Sequence, residues 1–342
     1  MLNLKKIKLK IIKLAKKLPK NSYCNYHLIN ELILVNLETE NLLFKKNYNP
    51  TNDIYKLLIG LENKLKIIQS TSIFSSSSKT KKQPFKLEKS HQELFQKLWV
   101  NYTKKQYIKE RVGRYLNRIK INKITDKIKN KSVVDFGCGH GNFLIAASLL
   151  GAKKCIGIDY GKDSIAYAKR ISKHLGLNKK IQFYSRNIYS SKLKSNSFDF
   201  AIQNGVFHHM DYPHKAYKEV NRVLKSGGYF WTYTDGGGGL RDLIGDMSQE
   251  ILKDINIDFK ITTIRGAYLN FNKQYHISDN MNAKYQHFPK NAYLNYLKKF
   301  GFKNFVQQSG GTKTDFDEIF LKDKYFKIKF GSGDLRFVCQ KK

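Results

Sequence analysis

Val133-Val134-Asp135-Phe136-Gly137-Cys138-Gly139-His140-Gly141-Asn142-Phe143 decides how this chain folds. Two β-branched residues run into three glycines at alternate positions, and an apolar helical pattern follows. The stretch reads as strand, tight turn and helix. Glycine serves such a turn in three ways: it accepts positive φ, it lets a ligand approach the backbone without meeting a Cβ, and it allows close packing of helix on strand. The helix start beyond it offers N–H groups that can hold an anion. Alone, the pattern also fits a tight strand-to-helix turn in any α/β protein, so the sequence downstream has to decide.

After a helix over 142–150 and the turn Gly151-Ala152-Lys153-Lys154, the chain gives Cys155-Ile156-Gly157-Ile158-Asp159, a short apolar strand ending in a carboxylate. Asp159 lies about 20 residues past the glycine turn, the offset at which an acidic side chain can accept hydrogen bonds from a ribose diol. A nucleoside is implied.

The glycine spacing selects which one. A dinucleotide fold wants G-x-G-x-x-G, whereas this chain has G-x-G-x-G preceded by Asp135. That pattern resembles motif I of the class I S-adenosylmethionine (SAM) dependent methyltransferases, and later phrases resemble their small-molecule branch. In that family the turn wraps the methionine and ribose part of SAM, and the acidic residue ending the second strand takes the ribose hydroxyls. By position, the resemblance assigns cofactor contacts to Asp135, Gly137, Gly139, Gly141, Asp159 and Tyr160. A helix over 163–175 and a strand over 180–184 follow, then Ser185-Arg186-Asn187-Ile188. The family usually has an acidic residue there, next to the adenine amino group. This chain departs from that pattern, but the side-chain oxygen of Asn187 can take the same bond, and the resemblance adds Ile188 to the set.

Ser197-Phe198-Asp199-Phe200-Ala201-Ile202-Gln203-Asn204-Gly205-Val206-Phe207-His208-His209-Met210 is the other informative stretch. It resembles the family's fourth strand followed by a paired-histidine phrase, and so places Asn204 and Gly205 at the sulfonium end of the cofactor. A helix over 213–224, the turn Lys225-Ser226-Gly227-Gly228 and a strand over 229–234 complete the run. The resemblance covers residues 130–235. It implies a doubly wound, mostly parallel seven-stranded α/β sheet whose last strand is antiparallel, with strands expected over 302–307 and 335–339 after a helix over 289–300. His208 and His209 are the candidate catalytic residues, since imidazole can take a proton near neutral pH if the acceptor must lose one. Histidines at such a turn also serve simply as packing.

With 342 residues the chain is long enough for a methyltransferase domain and an appendage. Residues 1–20 carry Leu4, Ile7, Ile11, Leu14 and Leu18 at helical spacing with lysines between, closed by Pro19. This is a basic amphipathic helix, suited to docking on its own protein, on an anionic membrane or on RNA. With helical patterns over 23–44 and 52–68 it forms an expected N-terminal helical appendage, 1–69. A serine- and lysine-rich linker follows over 70–86, and the methyltransferase domain occupies 87–342. Within that domain, 87–130 is an aromatic helical cap with Phe95, Trp99, Tyr102, Tyr107 and Tyr115 alongside Arg111, Arg114 and Arg118. Family members place such helices over the cofactor, where a tyrosine or arginine can meet the methionine carboxylate or an anionic acceptor. The run Gly236-Gly237-Gly238-Gly239 suits a flap over the acceptor or a loose connection. The segment 236–288, with Arg265, Tyr268, Tyr275, His276, Asp279, Asn280, Tyr285 and His287, is an acceptor-side insertion.

Lys plus Arg number 63 against 27 Asp plus Glu, a formal charge of +36. Such a surface binds polyanions at low salt, so a nucleic acid or anionic membrane partner stands beside a small-molecule acceptor. Most of the excess is lysine accompanied by Asn, Ile, Tyr and Phe, the usage of an AT-rich genome, and arginine, the better phosphate fork, is scarce. Cys24, Cys138, Cys155 and Cys339 form no C-x-x-C pair, and no apolar run reaches the ~18 residues of a membrane span. A cytoplasmic location fits. Asp235, Asp242 and Asp246 have no histidine nearby in sequence, and no metal is expected. The expected function is methyl transfer from SAM to an O, N or C nucleophile of a small or medium-sized acceptor, sugar or lipid-linked acceptors included. An RNA methyltransferase and a non-catalytic basic scaffold of the same fold stand as alternatives.

Overall fold

The strand predicted at the start of the glycine turn is β1, Ser132–Phe136 in the computed structural model, and it forms the middle of a sheet. The structure describes residues 2–71, 104–283, 285–312 and 314–342, with the side chains of 271 and 272 excepted. Two compact units are present. One comprises the described residues of 1–94, 238–284 and 323–331, and the other those of 95–237, 285–322 and 332–342.

The second unit is built on the sheet. After β1 come α-helix Asn142–Leu149, β2 Lys154–Asp159, helix Lys162–His174, β3 Ile181–Ser185, β4 Phe198–Asn204, helix Pro213–Val223, β5 Leu224–Asp235, helix Lys290–Lys299, β6 Phe302–Gln307 and β7 Asp334–Lys341. The order across the sheet is β3-β2-β1-β4-β5-β7-β6. The first five strands are parallel, and β7 runs antiparallel between β5 and β6. The inner strands are buried on both faces, which explains their nearly continuous apolar runs. Val133 and Ile202 enter one core with Phe143 and Leu144, whereas Val134 and Ala201 enter the other with Tyr217 and Leu297. The seven-stranded doubly wound expectation holds. Strand order reverses at the β1/β4 boundary, and ligands of such sheets bind outside the carboxyl ends of the strands at that point.

A helical run precedes β1: Lys104–Gln106, a π-turn over Tyr107–Val112 and helix Gly113–Ile121. Phe95, Trp99 and Tyr102 lie outside the described residues, as does the expected linker beyond 71. Two arginines of the run hold structure instead of facing a ligand. Arg118, buried, pairs with Asp315 at 2.9 Å, and Arg336 on β7 reaches Asp315 and Asp334 at 2.8 Å each. Arg114 donates to Thr312 and Thr314. The network fastens the excursion between β6 and β7. Burial pushes the Asp315 carboxyl up, but Arg336, Arg118 and Arg114 outweigh it and hold it well below the ordinary range. A carboxylate with a depressed folded pKa stabilises the fold above its unfolded value and loses that contribution as pH falls through the folded one. Acid unfolding of the parent should therefore extend below about pH 4, and Asp315→Asn should lose that part of the pH dependence. Asp315→Ala should cost roughly 3–5 kcal/mol in denaturant titrations, because buried Arg118 loses its carboxylate partner and buried Arg336 loses one of its partners.

The first unit is helical: α1 Leu2–Ala15, α2 Ser22–Leu43, α3 Thr51–Ser70, then Leu240–Leu252, Ile257–Gly266 and Phe271–Asn282. Leu4, Ile7 and Ile11 of α1 are buried, so the amphipathic stripe docks within its own unit. The N-terminal helices of the expected appendage share this unit with most of the segment expected as an acceptor-side insertion. The Asn36 side chain donates to Ser248 and accepts from Asn280, tying the two stretches at their centre.

Within the four-glycine run, Gly236 and Gly239 lie hard against neighbouring residues. The Gly236 N–H donates to Gly333 and the Ser332 N–H donates to Gly237. A Cβ on Gly236 would sit 2.4 Å from the Ser332 side chain, and one on Gly239 would sit 2.4 Å from the Lys329 carbonyl. Glycine is required there by the closeness of a neighbouring segment. Asp242 accepts the Gly239 N–H and Asp246 pairs with Lys8.

Candidate functional site

The turn after β1 is held by the strand beside it. Gly137 and Cys138 donate their N–H groups to the Ile158 carbonyl, and Gly141 donates to Cys138. Gly137, Gly139 and Gly141 all have positive φ, at 80°, 50° and 77°. Their surroundings differ. A Cβ on Gly137 would lie 2.5 Å from the Val206 side chain and one on Gly141 would lie 2.6 Å from the Phe183 ring, whereas one on Gly139 meets nothing within 4 Å. Two of the glycines thus let protein pack against the turn, and the middle one presents bare backbone to open space.

Asp159, at the end of β2, locks the turn from the other side. Its Oδ2 accepts the Gly139 N–H at 2.8 Å and its Oδ1 accepts the Gly161 N–H at 2.8 Å. Each carboxylate oxygen keeps a lone pair beyond these bonds. Burial raises its pKa, opposed by the backbone donors. Tyr160, next in the chain, is exposed. Asp135 is buried with Oδ1 lacking a hydrogen-bond partner. Burial pushes its carboxyl well up, and the nearby Asp159 adds to this.

The π-turn segment covers the glycine turn: the Tyr107 hydroxyl, fully buried, donates to the His140 carbonyl at 2.6 Å. Burial and the positive Arg111 and Arg170 depress the His140 imidazole to about 4, so it is neutral at physiological pH.

Asn204 ends β4, across the switch point from the glycine turn. It donates to the Tyr115 hydroxyl at 3.1 Å and accepts the Trp231 indole N–H at 3.2 Å. Gly205 has φ of 79°, and a Cβ there would lie 2.8 Å from the Tyr233 ring. Asn187 uses its side-chain oxygen to accept the Tyr189 N–H at 2.8 Å, which engages one of the two lone pairs an adenine contact would draw on. Ile188 is buried.

His208 and His209 are both buried. The Asp235 N–H donates to His208 Nδ1 at 3.1 Å, so that nitrogen carries no proton and the proton of the neutral ring sits on Nε2. His208 Nε2 lies 2.8 Å from His209 Nε2, and both rings pack on Tyr285. The His208 carbonyl accepts the Gln286 N–H, and the Met210 carbonyl accepts its side-chain amide. The histidine pair thereby ties the end of β5 to the returning 285–288 segment. Sequence reasoning passed over one further pair. His287 lies 3.4 Å through Nδ1 from Asp235 Oδ1, the carboxylate buried and the imidazole partly exposed. No local signal marks it, because the partners are far apart in sequence and His287 sits in an aperiodic stretch.

Comparisons with known proteins single out the same part of the chain. Residues 127–268 match a family model described as a methyltransferase domain. The mitochondrial ubiquinone biosynthesis O-methyltransferase of Dictyostelium discoideum is 29% identical over 143 residues, covering 40% of this chain and 44% of that protein. The ribosomal protein L11 methyltransferase of Haemophilus influenzae is 38% identical over 68 residues, covering 20% and 23%. A solved SAM-dependent methyltransferase of Thermotoga maritima covers 74% of this chain and 99% of its own at 15% identity and a TM-score of 0.46. The chain spans less than half the length of the two curated relatives. Residues 127–268 thus form a methyltransferase domain, and SAM is the cofactor that such a domain implies.

The residues at the switch point fit that cofactor. SAM carries a positive sulfonium and an ammonium group, for which Asp135 offers a buried, unpartnered carboxyl oxygen. Its ribose diol suits Asp159, and the open side of Gly139 leaves room for a ligand against the backbone.

Proposed function

We propose that this protein transfers a methyl group from SAM to a nucleophile on a small or medium-sized acceptor. The observation that carries the reading is the bridge from Asp159 to Gly139 beside Asp135, whose buried Oδ1 has no hydrogen-bond partner, at the strand-order reversal of the sheet. When bound, SAM supplies an electrophilic methyl group for in-line displacement. The chain's own contribution is alignment, the main source of rate in such a reaction. In this reading Gly137, Gly139, Gly141, Asp159, Tyr160, Asn187 and Ile188 hold the nucleoside and methionine portions, and Asn204 and Gly205 flank the reacting end. A lipid-type acceptor finds support in relatives named for ubiquinone biosynthesis and sterol methylation, although others are named for ribosomal protein and protein lysine.

Proton removal, where the acceptor requires it, falls in this reading to His287 instead of to His208 or His209. The paired histidines face each other through Nε2 and His208 Nδ1 accepts the Asp235 N–H, whereas His287 is partly exposed and backed by a buried carboxylate that favours its protonated form. Methyl transfer from labelled SAM into fractionated cell extract tests both statements. The parent should label a discrete low-molecular-weight fraction. His287→Ala should lower turnover by about 10²–10⁴-fold at unchanged SAM affinity if the acceptor loses a proton. Full turnover by that variant across the pH range would remove the base assignment. Labelling confined to RNA would replace the acceptor class.

A further inference from the structure

The exposed face of α1 remains unused by the fold. Residues 1–20 hold eight lysines and no acidic residue. Lys8, Lys16 and Lys20 face Asp246, Glu250 and Asp254 of the same unit. Lys5, Lys6, Lys10, Lys13 and Lys17 are exposed, and no ion pair among the described residues includes them. Leu2 and Leu9 are also exposed, at 69% and 59%. Leu2 and Leu9 are seven residues apart and so lie on one ridge, and at 3.6 residues per turn that ridge is opposite the buried Leu4, Ile7 and Ile11. Lys6 and Lys13 each follow one of these leucines by four positions, alongside it on the same face. The helix therefore has two apolar edges, one spent on its own unit and one crowned with lysine.

From this we propose that the outer face of α1 docks on an anionic lipid bilayer, with lysines at the headgroups and Leu2 and Leu9 in the acyl boundary. Charge complementarity argues for an anionic surface, and the leucines argue for a bilayer over RNA, because phosphate contacts have no use for an exposed aliphatic ridge. The inference does not depend on the methyl-transfer reading.

Co-sedimentation of the full chain with phosphatidylcholine vesicles, with and without phosphatidylserine, tests it. Partitioning should be at least about tenfold stronger with phosphatidylserine and should weaken as salt rises. Lys6→Glu with Lys13→Glu should remove the phosphatidylserine dependence. Leu9→Ser, which leaves the charge untouched, should weaken binding by roughly tenfold. All three positions are exposed, so circular dichroism should match the parent. Equal partitioning to both vesicle types, or none to either, overturns the proposal. So does a Leu9→Ser protein that binds like the parent, or an RNA oligonucleotide that binds in preference to the anionic vesicles and ignores Leu9→Ser.

Discussion

Gly139→Val should weaken SAM binding severely while leaving a folded protein, whereas Gly141→Ala should act mainly by lowering stability. Both positions have positive φ, so any side chain carries a strain of about 1–2 kcal/mol. They differ in what a side chain meets. At Gly141 a Cβ drives into the Phe183 ring, adding about 1–3 kcal/mol of overpacking. At Gly139 it enters open space, where in the present reading the cofactor passes against the backbone. Thermal unfolding should therefore show Gly141→Ala as less stable than Gly139→Ala, and titration should show Gly139→Val with SAM affinity reduced by about 100-fold or more, a loss of roughly 2.7 kcal/mol. Wild-type affinity in Gly139→Val would mean that the ligand lies elsewhere.

Asp159→Ala should weaken SAM binding by about 100-fold or more. The carboxylate is half-buried at the end of β2 and already positioned by two backbone donors, so a ribose diol meets an oriented acceptor. Hydrogen bonds to a charged group contribute about 1.5–3 kcal/mol each, and two of them account for the expected loss. The same substitution frees the Gly139 and Gly161 N–H groups, so the turn itself can loosen. Asp159→Asn separates the effects, keeping one acceptor oxygen while removing the charge, and should fall between parent and alanine. Because burial raises the Asp159 pKa, affinity should also decline on acidification at pH values above the ordinary carboxylate range.

The core of the sheet was legible because its signals are short-range. Strand, glycine turn and helix follow within a dozen residues around Gly137–Gly141, and the second strand announces its end with Asp159. The antiparallel last strand came from the family resemblance, since periodicity alone does not orient a strand. What stayed hidden depends on partners distant in sequence. Arg118, Asp315 and Arg336 are distant in sequence, and no local signal pairs them before β7 brings them together. Sequence cannot distinguish a glycine that must move from one that must admit a neighbour, as Gly236 and Gly239 admit residues of 329–333. His287 carried no periodic or motif signal, yet it reaches Asp235. The apolar stripe of α1 was visible, whereas the residues it docks against were not.

Calorimetric titration of SAM into the intact protein tests the central claim most directly. A single saturable site per chain, severely weakened in Gly139→Val and weakened in Asp159→Ala, is the result expected of the geometry at the switch point. An absence of binding by the folded parent, or affinity unchanged in both variants, would contradict it.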